Sequence, residues 1–171
     1  GHLGSRLASA VLDNPDWKID GENEAKYLQS IFGKDNFFIE IQLIDSPQNP
    51  AAKEVAEKLR EISKSTGIPC VATPDAHYCR REDSYDQRVL LCTALRKSIS
   101  QIQSEIKDGK CVSMKSFFES DSYHIPTHEE MARFHTEEEL ANTVKISDMC
   151  SKYNILGPPN PPVFDCPNGM S

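Results

Sequence analysis

Residues 36–44 read NFFIEIQLI, residues 51–65 read AAKEVAEKLREISKS, and residues 68–73 read IPCVAT. The first run is aromatic and β-branched, with Glu40 and Gln42 alternating against apolar neighbours, which predicts a strand. The second places Val55, Leu59 and Ile62 on one face and charges on the other, which predicts an amphipathic helix. The third is a short apolar run without alternation, as expected of a strand covered on both faces. Strand, helix, strand is a βαβ unit, so the two strands are expected parallel, joined by a right-handed crossover, with Val71 buried. The fold class is therefore α/β.

Upstream, helices are expected over 3–12 and 22–32, broken by Asn14-Pro15 and closed by Gly33. Beyond Asp83 the chain reads as helical over 85–95, 99–107, 127–134 and 136–152. Thr127 with Glu130, and Thr136 with Glu139, have capping-box spacing. Residues 157–167 carry five prolines and read as an extended linker. Three regions follow: 1–95 as the α/β part, 96–152 as a helical extension, and 153–171 as a proline-rich linker.

The 171 residues suffice for one domain with a core, and 38% hydrophobic with 26% charged residues is ordinary for a globular chain. Acidic residues outnumber basic ones by 26 to 19, for a net charge of -7, which argues against gripping a nucleic-acid backbone unaided. No apolar run is long enough for a membrane span, and the start lacks a signal-peptide pattern. The six cysteines form no C-x-x-C pair and suit reduced thiols in a cytoplasm. Cys70 and Cys92 read as small buried hydrophobes.

The sharpest chemical feature is Asp75-Ala76-His77, directly after the second strand. In α/β barrels, side chains at the C-terminal strand ends converge on the active site. A carboxylate and an imidazole one residue apart on extended backbone point to one side. They suit zinc or manganese, which would act on a phosphodiester; the plainer reading is an Asp–His hydrogen bond. His2, in the Gly-rich start, is a second candidate ligand, and Cys79 an outlying one. His124, His128 and His135 read as surface or capping residues. Glu40 and Gln42 face either the site end of a barrel or solvent. A phosphate loop, a G-x-S-x-G elbow and H-E-x-x-H are all absent from the sequence.

The stretch IPCVATPDAHYCRREDSYDQRVLLC resembles VATNDVHYLRREDAEAHDVLLC of bacterial-type polymerase III alpha subunits. In the same order, GHLGSRLASAVL resembles that family's GCLGSELAQALL, and IFGKDNFFIEIQ its IFGxDNFYLEIQ. IPTHEEMARF is similar to YLKSxEEMxxxF, ELANTVKISDMC to LxNTxxIAxxC, and PPVFDCPNGMS to LPKFPVPEGxT. The resemblance implies the C-terminal half of a PHP domain (polymerase and histidinol phosphatase), with residues 1–95 as the C-terminal part of a distorted (β/α)7 barrel that carries a metal cluster at its strand ends.

On this resemblance Asp75 and His77 are metal ligands, and His2 stands where the family has a metal-site cysteine. No residue receives a catalytic role. The implied parent is a replicative DNA polymerase that binds DNA and deoxynucleotides with magnesium. Its PHP domain is a metal-dependent 3′–5′ exonuclease or a docking surface; proofreading-exonuclease and sliding-clamp subunits are the implied partners, and the cytoplasm the implied location.

Some positions depart from the family. Leu43, Ile44 and Asp45 stand where it has Asp-His-Gly, and Gln87-Arg88 where it has a histidine before VLLC. The family's H-x-H pair and palm carboxylates are expected before Gly1 and after Ser171, so this chain alone is expected to be inactive, with unpaired strand edges. A stand-alone PHP phosphoesterase and a vestigial, partner-binding scaffold are the alternatives.

Overall fold

The computed structural model describes residues 4–43, 50–152 and 154–159. Helix α1 (Arg6–Val11) is capped by Ser5, whose hydroxyl accepts from the Ala8 amide, and it buries Leu7, Ala8 and Val11. Helix α2 spans Trp17–Phe32 and ends at Gly33, whose φ of 92° is a glycine conformation.

The expected start of α2 at residue 22 is corrected to Trp17, because Gly21 lies inside the helix rather than before it. A Cβ on Gly21 would run into Ile62 Cδ1 and come within 2.9 Å of Val11 Cγ1. The glycine lets α2 approach its neighbours closely. Gly21→Ala is expected to cost about 1–3 kcal/mol through overpacking, read as a lower urea midpoint. An unchanged midpoint would mean that the contact relaxes freely.

Strand β1 (Ile39–Ile41), helix α3 (Pro50–Thr66) and strand β2 (Cys70–Ala72) form the βαβ order. The strands are parallel, with Ile39 opposite Cys70, Glu40 opposite Val71 and Ile41 opposite Ala72. Ile39 N donates to Pro69 O at 2.9 Å and Thr73 N to Ile41 O at 3.1 Å, extending the ladder at both ends. Val71 is buried, as the apolar run predicts. Both strands are shorter than expected, since pairing lasts only where the two segments lie side by side. Ile39, Ile41, Leu43 and Cys70 join the core with Val11, Val55, Leu59, Ile62 and Ile68.

After a 3-10 turn (Arg81–Asp83) come α4 (Ser84–Leu95), α5 (Ile99–Lys107), α6 (Lys115–Glu119), α7 (His128–Met131) and α8 (Glu137–Met149). Both capping boxes expected at Thr127 and Thr136 form, and a third forms between Ser98 and Gln101. Helix α4 buries none of its residues, so Cys92 is half-buried rather than buried. Among the described residues no helix is long and apolar enough to cross a membrane.

Helix α8 lies against β2. Asn142 Nδ2 donates to Cys70 O at 2.7 Å, and Thr143 Oγ1 to Ala72 O at 2.8 Å. Successive carbonyls of a strand point to opposite edges, and Pro69 O accepts from Ile39 of β1, so those of Cys70 and Ala72 both face away from β1. On this side α8 side chains meet the two carbonyls that a third strand would otherwise take. Asn142→Leu with Thr143→Val should cost about 1–3 kcal/mol for each carbonyl left unmet, measured by chemical denaturation. Stability equal to wild type would show that water replaces the two donors.

The described α/β part is thus one two-stranded parallel sheet within a helix-rich chain. The residues expected as a linker lie mostly outside the described ones.

Candidate functional site

The sheet brings Glu40, Gln42 and Thr73 together. Thr73 Oγ1 donates to Glu40 Oε1 at 2.6 Å, and Gln42 Nε2 approaches the same oxygen at 3.4 Å. This polar face ends where β2 runs out through Pro74 to Asp75.

There Asp75 Oδ1 and His77 Nε2 lie 3.1 Å apart, each side chain 39% exposed. Of the three expected ligands the structure thus brings two together; His2 lies outside the described residues, so its convergence with them is not observed. Cys79 is exposed.

The loop carrying the pair is held from the second half of the chain. His77 N donates to Tyr123 O at 2.7 Å, Ile125 N to Tyr78 O at 3.2 Å, and Tyr123 N to Tyr78 Oη at 3.1 Å. Burial pushes the Tyr78 phenol up, against the lowering effect of that backbone contact. The His77 ring meets Phe117 edge-on at 4.7 Å and Tyr123 at 5.9 Å. Arg81 reaches Asp121 at 2.8 Å and Glu130 at 3.2 Å, tying the 3-10 turn to α7.

The expectation for two histidines needs correction. His124 and His135 are buried rather than on the surface, while His128 is exposed as expected. His124 Nε2 lies 3.3 Å from both carboxylate oxygens of Glu130, and His135 Nδ1 lies 3.2 Å from Glu139 Oε2. Each capping-box glutamate thus serves both a backbone amide and a buried imidazole. The Thr127 amide, then His124 and Arg81, hold the Glu130 carboxyl down at about 2. The signal in the sequence was His135 directly before its capping box, four residues from Glu139.

On a tetrahedral zinc with bonds of about 2.0–2.1 Å, neighbouring donor atoms stand roughly 3.3 Å apart. The Asp75–His77 spacing suits two ligands of one metal as well as it suits a hydrogen bond. Among the described residues, no group of three or more His, Cys, Asp or Glu side chains is placed to hold a metal. The pair fits half of a zinc or manganese site and needs further donors.

Fold and site together define an α/β unit with a carboxylate–imidazole pair at the C-terminal end of a parallel strand, braced by a helical second half. Over most of its length the chain is related to a segment of DNA polymerase III alpha subunits. It is 32% identical to that of Treponema pallidum over 156 residues, 90% of this chain and 12% of the relative. It is 34% identical to that of Thermus aquaticus over 156 residues, 88% of this chain and 11% of the relative. The Bacillus subtilis subunit is 30% identical over 145 residues, 84% of this chain and 11% of the relative. The chain thus spans about an eighth of the length of these relatives, 11–12%. No protein-family model matches it.

Proposed function

We propose that the chain is part of the PHP domain of a replicative DNA polymerase of the polymerase III alpha type. In this reading Asp75 and His77 are two ligands of its divalent-metal site. The observation that carries the reading is the Asp75–His77 pair at the end of β2, in a chain similar to those subunits over 81–90% of its length. The barrel closes with strands beyond the two described here, and His2 supplies a further ligand. A zinc or manganese ion held by Asp75 and His77 with further donors would supply Lewis-acid chemistry toward a phosphodiester. Asp75 and His77 orient one another and stay open to solvent. DNA, deoxynucleotides and magnesium belong to the whole polymerase, as do the proofreading and clamp subunits. Its place is the cytoplasm.

A second reading, a vestigial scaffold, is favoured by one observation: Asp75 and His77 already satisfy each other, with no third donor beside them among the described residues. A stand-alone phosphoesterase is disfavoured by the polymerase similarity, which runs through α7 and α8 as well.

The experiment is a nuclease and primer-extension assay with manganese, zinc and magnesium on primed and single-stranded DNA. The chain alone is expected to show neither activity. In the longer polymerase, Asp75→Ala and His77→Ala are expected to abolish PHP exonuclease while leaving primer extension. Robust nuclease from the chain alone, lost in both variants, would overturn the view that its site needs further parts. Exonuclease unchanged by either variant in the polymerase would favour the scaffold.

A further inference from the structure

We infer that Phe117 and Tyr123 are positioning residues for His77, an inference that rests on the reading of Asp75–His77 as metal ligands. His77 sits on irregular backbone, 39% exposed, where a ring held by one contact would turn between rotamers. Three further restraints act on it. Its amide donates to Tyr123 O at 2.7 Å. Phe117 meets the imidazole at 4.7 Å and 74°, and Tyr123 at 5.9 Å and 85°. Both are edge-to-face arrangements, in which a ring edge meets a π face. The two supports also touch each other, with centroids 4.4 Å apart.

The supports are themselves fixed. Tyr123 is buried, and its amide donates to the Tyr78 hydroxyl. Arg88 of α4 donates to Phe117 O at 2.9 Å and to Ser120 O at 3.2 Å, holding α6 in place. The aromatic wedge therefore fixes the ring plane, and Asp75 fixes which nitrogen faces the carboxylate. A metal arriving at the pair meets an imidazole already oriented.

The test uses the 171-residue chain with labelled histidine and the variants Phe117→Leu, Phe117→Tyr and His77→Ala. Leucine keeps apolar volume but removes the ring; tyrosine restores it. Two quantities are read: the His77 ring signals by NMR, and manganese affinity by electron paramagnetic resonance. In Phe117→Leu the ring signals should lose their ring-current shift and broaden, and affinity should fall about 10–100-fold, as for other supports of a metal-binding histidine. Phe117→Tyr should restore both. Unchanged ring signals in Phe117→Leu would overturn the inference, as would failure of tyrosine to restore them. If His77→Ala binds manganese as tightly as wild type, the ligand reading fails, and the ring signals alone still decide whether Phe117 orients His77.

Discussion

Arg60→Ala should destabilise the chain by about 3–5 kcal/mol, the usual cost of stranding one half of a buried ion pair. Glu139 is 3% exposed. Arg60 grips it with two bonds, Nε to Oε1 at 2.6 Å and Nη2 to Oε2 at 2.8 Å, and also donates to Phe134 O at 3.0 Å. This fork joins α3 to α8, and with it the βαβ unit to the helix that closes the β2 edge. Removing Arg60 leaves a buried carboxylate with only His135 and the Thr136 amide. Replacing both partners, Arg60→Met with Glu139→Leu, should cost much less, because no charge is left stranded. Equal losses for the single and double variants in urea titrations would show that packing, not charge, holds the joint.

The same pair sets an acid limit. Burial pushes the Glu139 carboxyl up, but the bonds from Arg60 and His135 outweigh it and hold it at about 2, against an ordinary 4.5. A carboxylate lowered on folding stabilises the fold fully above its unfolded value and loses that stabilisation as pH falls through its folded one. The contribution is therefore complete above about pH 4.5 and fades towards pH 2, a difference of about 3 kcal/mol. Glu139→Gln should lack this part of the acid transition. A variant with the same stability loss between pH 5 and 2 as wild type would place the transition elsewhere.

The other large effect concerns the proposed metal site. Asp75→Ala and His77→Ala are each expected to weaken zinc or manganese binding by at least about 100-fold. Losing even an indirect support of a ligand costs 10–100-fold. Asp75→Asn should weaken binding less than Asp75→Ala, since an amide oxygen still coordinates but carries no charge. Titration calorimetry reads both. Binding unchanged in all three variants would assign the pair to the plain hydrogen bond seen at 3.1 Å.

Short-range patterns made much of this legible in the sequence. Helix α5 occupies 99–107 as its apolar spacing predicts, and α3 differs from expectation by one residue at each end. The Thr127 and Thr136 boxes were readable because a cap and its glutamate are only three residues apart. The parallel β1–β2 pair followed from a strand, a helix and a second strand in sequence. What was hidden depended on distant partners. The helix expected from residue 22 leaves out Gly21, whose close approach to Ile62 joins residues far apart in the sequence. Asn142 and Thr143 look like ordinary polar helix residues, although their partners lie 72 and 71 residues earlier. Of the site, Asp75 and His77 were visible as a motif, whereas Phe117 and Tyr123 carry no local signal of where they pack.

The most direct measurement is anomalous diffraction from crystals of the longer polymerase soaked in zinc. Zinc is expected to give a peak within about 2.0–2.2 Å of both Asp75 Oδ1 and His77 Nε2. Zinc-saturated crystals with no peak there, and the direct Asp75–His77 hydrogen bond intact, would contradict the reading of the pair as ligands.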